Sequence, residues 1–168
     1  MRPIRLCSLT IAALLIATAA LAQGRPNFAG TWKFDSDKSM QAGPGNHYVV
    51  AKMLGDEFTA TQDDTTLTLI IKIGTAQVTA FYKLDGSESK NMSPEKGGDV
   101  AVISHCTWDA QKLVILSTST SDVKSQPVTL ETKRVLFLDT DGSLVMDRSG
   151  APGSEITPSR SVYKRVTK

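Results

Sequence analysis

The stretch Phe28-Ala29-Gly30-Thr31-Trp32-Lys33-Phe34 constrains the fold more than any other part of the chain. Phe28, Gly30, Trp32 and Phe34 fall on one side, and Ala29, Thr31 and Lys33 on the other. That is the two-residue period of a strand with one buried face. Each of its three aromatic rings can bury about 150–250 Å². A strand this apolar on one side needs a curved sheet folded over it.

The rest of the chain supplies that sheet. Thr65 to Ile73 places Leu67, Leu69, Ile71 and Ile73 on one face, and Thr75 to Leu84 does the same with Val78, Ala80, Tyr82 and Leu84. Asp85-Gly86 and Asp141-Gly142 have the positive-φ tolerance of tight hairpin turns. Val100–Trp108 with Lys112–Ser119, and Val128–Leu138 with Leu144–Arg148, read as two further hairpins. Val128, Leu130, Leu136 and Leu138 share one phase, and Ser161–Val166 closes the chain. Tyr48–Leu54 and Glu57–Gln62 are predicted strands, and Ser87–Asn91 a short polar one. Asp35–Gly45, Ser93–Asp99, Thr118–Gln126 and Ser149–Pro158 are predicted connections, with at most a helical turn over Ser36–Met40. The expected class is all-β: an antiparallel up-and-down meander of about eight to ten strands. Closing it into a barrel removes the exposed edges.

Residues 1–22 read as a secretory signal. Arg2 and Arg5 precede an apolar run from Leu9 to Leu21, and Ala20-Leu21-Ala22 is a small-x-small cleavage site. The run is short of the roughly 20 residues that span a membrane, so no stable anchor is expected after cleavage near Ala22-Gln23. The expected location is the periplasm or the exterior. Taking 22 residues from 168 leaves 146 (positions 23–168), one domain of ordinary size. Of the 19 Lys and Arg residues, two depart with the signal, and the remainder balances the 17 Asp and Glu. A mature net charge of zero argues against a nucleic-acid partner. Cys106 is then the only cysteine, which excludes an internal disulfide and leaves stability to core burial.

Gly30-Thr31-Trp32 near the mature N-terminus resembles the Gly-x-Trp signature of lipocalins and their calycin relatives. The Phe-x-Gly-Thr-Trp-Lys opening, Asp37-Lys38-Ser39, Tyr82-Lys83-Leu84-Asp85-Gly86 and the closing Val162-Tyr163-Lys164-Arg165 look like a group of small exported bacterial lipocalin-like proteins of unassigned function. The resemblance implies a cup-shaped barrel whose first-strand tryptophan, here Trp32 beside Gly30, plugs one end. It also implies a basic side chain from the last strand over that tryptophan, with Arg160, Lys164 and Arg165 as candidates.

Motif chemistry is sparse. His47 and His105 lack the spacing of a metal site, and no nucleophile elbow, phosphate-binding glycine loop or zinc-protease motif occurs. Asp139-Thr140-Asp141-Gly142 is better explained as a turn than as a calcium loop, because the later ligands are missing. No enzyme is expected and no cofactor is called for. The first functional reading is a barrel that holds a small apolar or amphipathic ligand. Its expected lining is Leu67, Leu69, Ile71, Val78, Ala80, Tyr82, Val102, Leu113, Ile115 and Leu136. The alternative is a filled barrel, built on the same residues, whose loops Asp35–Gly45 and Ser149–Pro158 bind a protein of the cell envelope or act as an inhibitor. A haem-binding or enzymatic calycin stands behind both.

Overall fold

The computed structural model describes residues 24–42, 49–95, 98–123, 126–151 and 156–167. The expected signal segment, His47 and Tyr48 lie outside them. The strands are β1 (Gly30–Phe34), β2 (Val49–Val50), β3 (Glu57–Gln62), β4 (Thr66–Ile73), β5 (Ala76–Lys83) and β6 (Ser89–Glu95). They continue as β7 (Gly98–Asp109), β8 (Lys112–Val123), β9 (Gln126–Leu138), β10 (Leu144–Gly150) and β11 (Ser159–Arg165). Hydrogen bonding runs β5-β4-β3-β1-β11-β10-β9-β8-β7-β6, an antiparallel meander in which the first and last strands meet. Trp32 pairs with Arg165, and Phe34 with Tyr163.

The path ends at β5 and β6, which the Asp85-Gly86 turn holds side by side. Side chains stitch this seam. The Asn91 carboxamide accepts from the Phe81 N–H at 2.7 Å and donates to the Phe81 carbonyl at 2.9 Å. Ser89 Oγ accepts from the Lys83 N–H at 2.8 Å. The result is a nearly closed barrel.

Three local expectations are corrected and one is extended. The helical turn expected over Ser36–Met40 is a helix, α1, over Ser36–Ala42. Asp35 starts it by accepting the Lys38 N–H at 3.1 Å, which an N-cap carboxylate does for an orphan donor. The helix lies on the outer wall, where Ser39 Oγ accepts the Val162 N–H at 3.0 Å. Tyr48–Leu54 is not a full strand. Only Val49–Val50 pairs, parallel to β11, before the chain turns at Gly55, whose N–H donates to the Lys52 carbonyl at 3.1 Å. That turn sends Leu54 into the core, where its N–H meets Tyr163 Oη at 2.9 Å.

Ser93–Asp99 is largely strand, since β6 continues through Pro94. A terminal strand of the path has one side without a ladder, where a proline's missing N–H is tolerated. The Thr118–Gln126 connection is also strand, as β8 and β9 pair out to Val123 and Gln126. From Thr118 to Ser121 and from Gln126 to Glu131 no described side chain is buried, so no apolar period marks them, while threonine suits the extended backbone.

The core gathers Trp32, Phe58, Leu67, Leu113, Leu136 and Tyr163 between the walls. Tyr163 sits edge-on to Phe34 and Phe58, with centroids 5.6 and 5.1 Å away. Gly30 is required on β1. Its φ is +139°, and a Cβ there would lie 2.5 Å from Arg165 Nη1.

Candidate functional site

Trp32 closes one end of the barrel. It is wholly buried, and its Nε1 donates to the Phe28 carbonyl at 2.8 Å. The Arg165 guanidinium sits 4.4 Å from the indole centroid and donates to the Ala29 carbonyl. Such a cation over an aromatic face contributes about 0.5–1 kcal/mol at an exposed site. Of the three basic candidates, Arg165 alone takes this place. Arg160 pairs with Asp147 on the outer face at 2.5 Å, and Lys164 with Asp35 at 3.2 Å.

The ten expected lining residues divide by depth. Leu67, Leu69, Leu113, Ile115 and Leu136 are at most 1% exposed. Side chains with so little accessible surface border no void that water could enter, so this half of the barrel is packed solid. Ile71, Ala80 and Tyr82 are also buried in that core, while Val78 and Val102, nearer the other end, remain half-buried. Any interior ligand space therefore lies on the Val78–Val102 side, away from Trp32.

Between the solid half and that end the interior turns polar. Ser104 and Ser117 face each other across β7 and β8 with their hydroxyls 2.9 Å apart, both buried. Arg134 on β9 donates from Nη2 to Ser117 Oγ at 3.0 Å and lies 5.5 Å from the Tyr82 ring centroid. Its Nε is buried without a hydrogen-bond acceptor. Burial pushes the Cys106 thiol up to about 11, against a smaller opposing effect of the Arg134 charge, so the thiol is neutral.

Arg148 on β10 is the direct register partner of Arg134. Directly opposed residues share a face, and Arg148 is in phase with the buried Leu144 and Met146. On β3–β5 and β7–β11 no aspartate or glutamate shares this inner face. Above Arg134, Leu130 continues the inward phase of β9 and is 38% exposed. Neither arginine is among the expected site residues, although Arg134 stands in phase with the expected lining residue Leu136.

Recesses mark the surface of the described residues. One of about 450 Å³ lies at the Trp32 end beside Arg25, Asp64, Leu84 and Trp108. The Trp108 ring there is stacked between Phe28 and the Arg25 guanidinium. A second, of about 350 Å³, opens beside Leu116, Glu131 and Lys133, where β10 stops. The third, about 290 Å³, is a groove on the outer wall over Val114, Val135 and Phe137, and Arg148 adds to its lining.

Strand order, closure through β1 and β11, and the capped tryptophan define an antiparallel barrel of the calycin and lipocalin type. Among solved structures, a single-site mutant of the fluorescent protein UnaG is similar, with a TM-score of 0.53 and 23% identity, over 84% of this chain and 97% of that one. At that identity the likeness is one of fold. No protein-family model matches the chain, and no curated protein sequence does.

Proposed function

We propose that this protein is an exported, non-enzymatic barrel that binds a small amphipathic molecule, working in the periplasm or outside the cell after removal of residues 1–22. The observation that carries this reading is Arg134: a guanidinium on the inward phase of β9, its Nε without an acceptor, with no aspartate or glutamate in the inward phase of β3–β5 or β7–β11. Ser117 answers one of the five donors an arginine presents, and leaving a buried donor such as Nε unsatisfied costs about 1–3 kcal/mol. An acidic ligand group would offset that cost, with Val78, Val102 and Leu130 against its apolar part. The fold neighbour UnaG, a fluorescent protein by name, supports a barrel of this kind and nothing finer.

The test is native mass spectrometry and thermal melting of the processed protein with dodecanoate and with dodecanol. Dodecanoate is expected to be retained and to raise Tm, and Arg134→Gln to abolish both effects. Failure of both amphiphiles to bind would overturn the proposal.

A further inference from the structure

In an antiparallel sheet with one buried face, the outward positions are ordinarily polar. The outer wall of β8 and β9 departs from that pattern. Val114 and Val135 are direct register partners, and Phe137 follows two residues on in the same phase. All three are half-buried, and none belongs to the barrel core. The helix on this wall, α1, packs on β11 and β2. Val114, Val135 and Phe137 instead floor an open groove of about 290 Å³.

Cations rim this floor. Lys112, Lys133 and Arg148 line the groove, and Lys112 Nζ lies 5.0 Å from the Phe137 ring centroid. None of the three has a salt bridge among the described residues. Two carboxylates share the lining. Asp147 is committed to Arg160 through bonds at 2.5 and 2.7 Å, and Asp109 stands exposed at the end of β7. With Asp147 cancelled by Arg160, three positive charges face one negative charge across an apolar floor.

We propose that this groove is a second ligand site, outside the barrel, for a small carboxylate with an apolar body. It does not depend on the interior site. A bare anion would leave the floor wet, and a neutral apolar molecule would leave the cations unanswered. A carboxylate on a ring or short branched chain uses both, and it suits an ammonium and a guanidinium alike. The cations stay hydrated when the groove is empty, so their charge acts as attraction rather than strain. At about 30 Å³ for each water-sized group the groove takes a body of about ten non-hydrogen atoms.

Phenylacetate has that size, phenylacetamide is its neutral counterpart, and acetate lacks the ring. The experiment is an amide NMR titration of the processed protein with each, at neutral pH. Phenylacetate is expected to give saturable shifts centred on Val114, Val135 and Phe137, with a Kd on the order of millimolar for a ligand this small. Phenylacetamide and acetate should bind at least about fivefold more weakly. Lys112→Gln, Lys133→Gln and Arg148→Gln should each weaken phenylacetate by about twofold to fivefold, the range of an exposed ion pair. Arg134→Gln should leave it unchanged, and Lys133→Gln should retain dodecanoate as the wild type does.

No saturation by about 20 mM phenylacetate would overturn the site. So would shifts centred on Ser117 and Cys106 that disappear in Arg134→Gln, since they would put the acid in the interior. Equal binding of phenylacetamide would refute the role of the cations, and equal binding of acetate would refute that of the floor. Loss of dodecanoate retention in Lys133→Gln would show a single site and refute the second.

Discussion

Replacing Tyr163 by phenylalanine removes one oxygen from the centre of the fold. The ring stays, so its edge contacts to Phe34 and Phe58 persist. What disappears is the acceptor for the Leu54 N–H, 2.9 Å away. Leu54 is 2% exposed and Tyr163 wholly buried, so water cannot take the oxygen's place. Leaving a buried donor unsatisfied costs about 1–3 kcal/mol. Urea melts of the wild type and Tyr163→Phe give the measurement. At an m-value of about 2 kcal/mol/M the midpoint should fall by about 0.5–1.5 M with the slope unchanged. A domain of this size should also lose about 2–4 °C in Tm per kcal/mol. A shift below about 0.2 M would refute the claim that this hydroxyl ties the Ala51–Gly55 segment to β11.

Two further outcomes follow from titratable groups. Hydrogen bonds from Thr65 and Thr66 in the β3–β4 turn hold Asp63 at about 2, below its ordinary 3.8. A lowered folded-state pKa gives stability that is present above the unfolded value and lost as pH falls through the folded one. The urea midpoint should therefore decline between pH about 4 and 2, and Asp63→Asn should flatten that decline; an unchanged profile in the variant would exclude Asp63 as its source. The Cys106 thiol, pushed up to about 11 by burial, should resist a maleimide at pH 8 in the native protein and react once urea unfolds it. Rapid native labelling would show that the core around Ile115 and Leu136 opens.

Much of the wall was legible because one buried face forces strict alternation. Leu67, Leu69 and Ile71 announced β4, and Asp85-Gly86 and Asp141-Gly142 each joined two strands that lie side by side. The signal faded wherever both faces are wet. Thr118 to Val123 looked like a connection because solvent on either side removes the apolar period. Pro94 looked like a breaker because position at the end of a sheet is a tertiary fact. Tyr48–Leu54 had a strand's composition, yet Gly55 turns it and Leu54 is claimed by Tyr163.

Arg134 and Arg148 had a readable cue. Arg134 shares the phase of Val128, Leu130, Leu136 and Leu138, and Arg148 shares that of Leu144 and Met146. A cation in an inward register can be seen in the sequence. That its neighbours offer no countercharge is visible only once β8, β9 and β10 are assembled.

The line between β5 and β6 gives this cylinder an asymmetry of consequence. Everywhere else on the path the wall is knitted by peptide groups, which no substitution short of proline can delete. Along this line the knitting belongs to Ser89 and Asn91. Two ordinary replacements would unzip it and leave every other pairing untouched. The tightness of the wall is thus, along this line of the described residues, a property that single codons can tune.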